Sequence, residues 1–138
     1  MKRIGLLFLM VVFVLAGCSS KEESSISADD VVAKFKAVGL EAENATDIAS
    51  KDMGIAPMRF DEGKRIIVPS IGDDSGGRVF VFKKKSDLEE LQKYYDELGK
   101  ASAMTFSHTY SKGNVLLQMT GEMEEEEFNK YKEVMDQL

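Results

Sequence analysis

The sequence predicts an α+β domain, a mainly antiparallel sheet packed by about three helices, set behind an export signal and a short tether. Three observations carry this expectation. Apolar residues recur at helical spacing in three stretches, and alternate or run together in the segments between them. The strand-like segments come in adjacent runs with short turn-forming links, which suit antiparallel pairing and are too short for parallel crossovers. The chain also opens on basic, then apolar, then small residues, the pattern of a secretory signal.

Lys2 and Arg3 precede an apolar stretch from Ile4 to Leu15, and Leu15-Ala16-Gly17-Cys18 closes it in a pattern that resembles a bacterial lipobox. The stretch is too short to span a bilayer comfortably. Residues 1–17 therefore read as a signal peptide and Cys18 as the mature N-terminus. In the lipoproteins that carry this pattern, the cysteine sulfur receives a diacylglyceryl group before the signal is cut, so the resemblance implies lipidation at Cys18. The polar, aperiodic residues 18–27 read as a flexible spacer with a root-mean-square reach of about 18 Å. The expected domain is 28–138.

Within it, Ser27 and Asp30 form a capping box, and Val31, Val32, Phe35 and Val38 share a helical face until Gly39 stops the run, a helix over 28–39. From Leu40 to Arg65 the pattern is broken by Asn44, Asp47, Gly54, Pro57 and Gly63, leaving one short strand near 40–45. Arg65 to Val68 and Arg78 to Phe82 read as an antiparallel pair joined by the loop Gly72 to Gly77. The unbroken Val79-Phe80-Val81-Phe82 suits a central strand covered on both faces, or one whose outer face meets a partner. Ser86-Asp87-Leu88-Glu89 reads as a second capping box, with Leu88, Leu91, Tyr95 and Leu98 on one face and Gly99 as the stop. Thr105 to Tyr110 and Val115 to Thr120 flank Ser111-Lys112-Gly113-Asn114 as a hairpin. A last helix begins among Glu124 to Glu127, where negative charge meets the positive end of its dipole, and carries Phe128, Tyr131, Val134, Met135 and Leu138 on one side.

Loss of 17 of 138 residues leaves 121, enough for one ordinary core. Two positive charges and no acid leave with the signal, so the net charge of −6 becomes −8. That balance argues against nucleic acid, and an acidic surface repels anionic lipid headgroups and phosphate-rich wall polymers, so acyl chains rather than protein charge are expected to hold it at the membrane. Cys18 is the single cysteine. No disulfide, thiolate metal site or cysteine nucleophile is therefore available once the sulfur is acylated.

The chemistry-bearing candidates are few. His108 is the single histidine and shares a strand face with Phe106 and Tyr110, without a Gly-x-Ser-x-Gly elbow anywhere to partner it. It reads as a structural or surface histidine, and one histidine without a free cysteine leaves only carboxylates to fill the other positions of a zinc site. Glu122 to Glu127 reads as helix-start charge rather than a metal cluster. The loop Gly72 to Gly77 offers backbone N–H groups and the adjacent Asp73 and Asp74, but it fits neither a calcium loop nor a phosphate loop. Gly72, Asp73, Asp74, Gly76 and Gly77 are expected to contact a partner, together with Tyr94, which lies beside the apolar stripe of its helix where an amphipathic ring serves an interface. No cofactor and no metal are expected.

From Ile67 to Leu138 the chain resembles small lipoproteins of Bacillus and its relatives, usually labelled "stress protein" or "lipoprotein". The residues that carry the likeness are Ile67-Val68-Pro69-Ser70-Ile71-Gly72, Asp74 to Phe82, Tyr94-Tyr95-Asp96-Glu97-Leu98-Gly99-Lys100, Phe106-Ser107-His108-Thr109-Tyr110 and Gly113 to Gln118. The resemblance implies a Gram-positive envelope and transfers no activity or catalytic residue.

The leading expectation is a non-enzymatic domain, lipid-anchored at the outer face of the cytoplasmic membrane, that binds an envelope protein. One form is an exclusion or immunity lipoprotein against phage or conjugative elements. The alternative is an envelope lipoprotein that binds a small ligand or ion and is associated with stress response. An envelope hydrolase is a third class, for which no residue spacing selects a catalytic pair. For the anchor, the prediction is that Cys18→Ala abolishes labelling by a fatty-acid analogue and leaves the precursor uncut; equal lipid label in the substituted protein overturns the lipobox reading.

Overall fold

The computed structural model of the protein describes residues 26–138. The expected signal peptide, Cys18 and most of the spacer lie outside the described residues. In chain order the elements are α1 (Ala28–Ala37), β1 (Glu43–Asp47), α2 (Ser50–Met53), β2 (Glu62–Ile67), β3 (Gly76–Val81), α3 (Lys85–Ala101), a 3₁₀ turn (Ala103–Thr105), β4 (Ser107–Lys112), β5 (Val115–Thr120) and α4 (Glu125–Met135). They form the α+β domain expected, a five-stranded sheet in the order β1-β2-β3-β5-β4 with every neighbouring pair antiparallel.

Because side chains alternate along a strand, the continuous apolar run of β3 and the phenylalanine after it feed two cores. Val79 and Val81 point to one side, where Ile66, Leu117 and Met119 join Val31 and Phe35 of α1 and Phe128, Tyr131 and Met135 of α4. Phe80 and Phe82 point to the other, where Leu116 meets Leu88, Leu91 and Tyr95 of α3 and Met53 of α2. The central strand is thus covered on both faces. Phe35 and Tyr131 meet edge to face at 5.1 Å, which joins α1 to α4, and the Tyr131 hydroxyl donates to the Glu41 carbonyl at 2.7 Å. Burial, with the charges of Glu127 and Glu41 adding to it, raises the pKa of that hydroxyl well above its usual value, so it remains a donor across the neutral range.

The helix starts divide. Ser27 caps α1 as expected, its hydroxyl accepting from the Asp30 N–H at 3.1 Å while the Asp30 carboxylate accepts from the Ser27 N–H at 3.1 Å. That pair of bonds to Ser27 lowers the Asp30 pKa. The box expected at Ser86 is not made. Lys84 is the extended N-cap residue, and its carbonyl accepts from the N–H groups of Asp87 and Leu88, so Ser86 already lies inside the first turn of α3. Nor does Gly99 end that helix, which continues to Ala101. A Cβ at Gly99 would sit 3.0 Å from the Phe106 ring, so the glycine serves a packing contact rather than a stop. In α1 the turn closes at Ala37. Val38 therefore leaves the apolar stripe to which it was assigned and is 62 % exposed, with Gly39 at φ +83° reversing the chain.

The strands also differ at their edges. β2 begins at Glu62, earlier than Arg65, because Gly63 is buried against the Phe60 ring and lets the ladder with β3 continue through Glu62 and Val81. β3 begins at Gly76, so the last two residues of the expected loop Gly72 to Gly77 belong to the strand. A Cβ at either glycine would collide with the neighbouring strand backbone, Ile66 O at 2.0 Å for Gly76 and Gln118 O at 2.2 Å for Gly77. Close approach of strands demands these glycines. The short strand expected at 40–45 is β1, displaced to Glu43–Asp47 and irregular, with Asn44 at φ +49° where its register against β2 shifts. Such an irregularity blunts an exposed edge strand. Gly113, at φ +55°, takes the first central position of the β4–β5 hairpin.

Leu91 and Phe128 lie centrally in the two cores, 0 % and 5 % exposed. Leu91→Ala and Phe128→Ala are each expected to lower unfolding stability by about 2–5 kcal/mol. Urea denaturation followed by circular dichroism measures the loss, and a change below about 0.5 kcal/mol excludes burial at that position.

Candidate functional site

The face of the sheet that carries α3 changes character along its strands. One row, Phe80 and Leu116, lies under the helix, and the next is polar: Thr46, Arg65, Arg78, Gln118 and Thr109 stand opposite one another across β1, β2, β3, β5 and β4. Beyond it come Gly76, with no side chain, and Thr120 and Ser107. A helix covers the first part and a cleft of about 310 Å³ opens over the second, between the β2–β3 loop and the segment entering β4.

Two guanidinium groups dominate this cleft. Arg78 donates from Nη1 to Gln118 Oε1 at 3.1 Å, and Gln118 donates from Nε2 to Ser107 Oγ at 2.9 Å, so the amide is oriented with its carbonyl toward the arginine. Gln118 is only 5 % exposed and has both ends of its amide bonded. The Nε atom of Arg78 is buried with no hydrogen-bond partner. Arg65, directly opposite Arg78, donates from Nη2 to the Asp74 backbone carbonyl at 2.9 Å. Among the described residues neither guanidinium forms an ion pair, although six other basic side chains do so, Lys36, Arg59, Lys64, Lys83, Lys93 and Lys130 with Asp or Glu within 4.0 Å, and Lys132 lies over the Tyr110 ring at 5.1 Å. Like charges facing each other on adjacent strands cost stability. An anionic group placed between them would relieve that cost and find a fork of N–H donors suited to a carboxylate.

The rim of the cleft is apolar and exposed. Met104 is 96 % exposed and Phe106 43 %. The turn that presents them is held from below: the Ser102 hydroxyl accepts from the Met104 N–H at 3.1 Å, and the Thr105 hydroxyl donates to the Leu98 carbonyl at the end of α3 at 2.6 Å. Phe106 is seated between two glycines, since a Cβ at Gly99 or Gly121 would meet it at 3.0 or 2.5 Å. Its ring also meets His108 edge to face at 5.0 Å.

Of the six expected contact residues, the structure brings Asp74, Gly76 and Gly77 into the cleft lining. Gly76 and Gly77 do so as strand residues paired with Ile67 and Ile66, which commits their backbone to the sheet instead of leaving it free in a loop. Gly72 and Asp73 lie in the link before it, where the Gly72 carbonyl accepts from the Ser75 N–H at 3.1 Å. Tyr94 is half-buried on α3, edge-on to Tyr95 at 5.7 Å and packed at the margin of the second core, away from the cleft lining. His108 is locked into the first face: its Nε2 lies 2.7 Å from the Met123 carbonyl, a bond in which the ring nitrogen donates, and its ring stacks on Phe128 at 4.8 Å. Among the described residues, no group of three or more His, Cys, Asp or Glu side chains is placed to hold a metal. Arg65, Arg78, Gln118, Met104 and Phe106 were not singled out by sequence. The signal was one arginine in each of two neighbouring strands, and only the register reveals that they face each other.

Compared with protein-family models, curated proteins and solved structures, the chain matches none. No helix among the described residues is long and apolar enough to cross a membrane.

Gln118 is the element that orders this site. Gln118→Leu would leave Arg78 Nη1 and the Ser107 hydroxyl without their partners, and is expected to lower stability by about 1–3 kcal/mol. Thermal denaturation of the substituted and parent proteins gives the difference; an unchanged midpoint would mean that water replaces the amide at no cost.

Proposed function

We propose that this is a lipid-anchored, non-enzymatic domain of the cell envelope that binds a partner protein through the Arg65–Arg78 cleft and its Met104–Phe106 rim. One observation carries the reading: two facing guanidinium groups without a counter-ion among the described residues, bordered by exposed Met and Phe. Arginine, methionine and aromatic residues are the types enriched where proteins meet, and arginine is among the commonest anchors of binding energy. The complementary surface on the partner is an acidic side chain or chain terminus flanked by apolar groups. Anchoring at Cys18 would confine the domain to a thin layer beside its partner, so a modest intrinsic affinity suffices. Exclusion of incoming phage or conjugative elements is one biological form of this activity.

A second reading, a site for a small anionic ligand, draws on the volume of the cleft, about 310 Å³, which lies at the lower end of small-molecule sites. The two readings differ at the rim, which a small ligand does not need.

A photo-crosslinking residue at Met104 is expected to capture a specific envelope protein in living cells, whereas the same residue at Lys93, on the outer face of α3, captures none. Arg65→Ala is expected to weaken capture about tenfold or more, the effect of removing one interface anchor. Capture that is equal at both positions, or indifferent to Arg65→Ala, overturns the protein-binding reading. If Arg65→Ala abolishes function in cells while Met104→Asp leaves it intact, the small-ligand reading takes its place.

A further inference from the structure

A concavity larger than the cleft lies at the other end of the sheet. It is a groove of about 990 Å³ beside α1, the end of β3 and the β4–β5 turn, and its lining includes Lys34, Lys83, Lys85 and Lys112, with Asp30 as its single acidic side chain. In a chain with 24 acidic and 18 basic residues, four lysines converging on one surface run against the overall balance. Lys83 pairs with Asp61 at 3.0 Å; among the described residues Lys34, Lys85 and Lys112 form no ion pair. Ile26, the first described residue, also lines this groove. Cys18 is eight residues earlier in the sequence, and eight residues span at most about 29 Å. An acyl chain on Cys18 would therefore hold the start of the domain, which lines this groove, within about 29 Å of the lipid headgroups.

The strands fix what lies opposite. β3 runs from Gly76 and Gly77 at the cleft to Val81, two residues before Lys83 at the groove, and β5 returns from Val115 at the groove to Thr120 at the cleft. A strand of six residues separates the two surfaces by about 20 Å.

We propose that the Lys34–Lys83–Lys85–Lys112 face seats the domain on anionic lipid headgroups and thereby turns the Arg65–Arg78 cleft away from the bilayer. The proposal rests on the anchor at Cys18. The acyl chains supply attachment, and the lysines select one orientation, since each basic side chain near an anionic bilayer improves association about fivefold while the acidic remainder of the surface is repelled.

The test is lysine acetylation mapped by mass spectrometry on the full processed chain, extracted from membranes and reconstituted in phosphatidylcholine vesicles with or without about one-third phosphatidylglycerol. Lys34, Lys85 and Lys112 are expected to be protected several-fold on the anionic vesicles only, with protection lost in high salt, while Lys93 and Lys100 on α3 label equally on both. The exposed double substitution Lys34→Glu, Lys85→Glu is expected to abolish protection at Lys112. Equal labelling on the two vesicle types overturns the proposal, as does protection of Lys93 and Lys100 instead. Protection of the three lysines already present in neutral detergent micelles also overturns it, because the residues before Ile26 would then occupy the groove. The Cys18 peptide in the same spectra reports the anchor separately. If it carries no lipid, the anchor reading fails, and the non-acylated chain incubated with the two vesicle types still shows whether this face is drawn to anionic lipid.

Discussion

The domain is organised around the burial of β3 on both faces. Val79 and Val81 enter the core under α1 and α4, and Phe80 enters the core under α3, with Phe82 continuing that side beyond the strand. A strand with large apolar groups on both sides cannot lie at an edge or face water. It therefore recruits β2 on one flank and β5 on the other, and both layers of helices. Gly76 and Gly77 are part of the same constraint: at the start of the strand the neighbouring backbones approach too closely for any Cβ. Without a disulfide among the described residues, these two cores and the ladders between them hold the fold.

The sheet that carries this apolar load is polar at one end. Along β3 the α3-facing side passes from Phe80 to Arg78 to Gly76, and along β5 from Leu116 to Gln118 to Thr120. A polar residue at such a position is costly unless its groups are paired. The Arg78–Gln118–Ser107 chain of hydrogen bonds supplies that pairing while leaving the guanidinium Nε and the facing Arg65 without counter-charge. The site thus stands on strands rather than on a loop, and its arginines are held by sheet register. Such preorganisation reduces the entropy lost on binding.

Charge is distributed to match. The acidic surplus is spread over the helices, as in the first turn of α4, where Glu125, Glu126 and Glu127 sit at the positive end of the dipole. Positive charge gathers at the two ends of the central strands, as guanidinium groups at one and ammonium groups at the other. The chemical difference suits different roles. Guanidinium forks match the planar geometry of a carboxylate, whereas ammonium groups act as compact charges without demanding orientation.

Sequence alone determined the α+β class, the antiparallel pairing of β2 with β3, the hairpin, the N-cap at Ser27 and the buried stripes of α3 and α4, and it marked β3 as apolar on both faces, leaving to the structure whether a helix or a partner covers the second. These follow from periodicity and local turn chemistry, which act over a few residues. The second capping box is not made because Lys84, two places before Ser86, supplies the initiating carbonyl; Gly99 and Gly63 act as packing positions rather than breaks because each glycine answers a ring, Phe106 and Phe60, whose placement depends on the fold. The cleft was half legible. Asp74, Gly76 and Gly77 were named for a loop, yet the arginines that give the site its chemistry were not, since Arg65 and Arg78 are 13 positions apart and meet only through strand register. The four lysines of the groove come from α1, the link after β3, the start of α3 and the hairpin. Only the tertiary structure could assemble them, because convergence of charge from separate elements leaves no period in the chain.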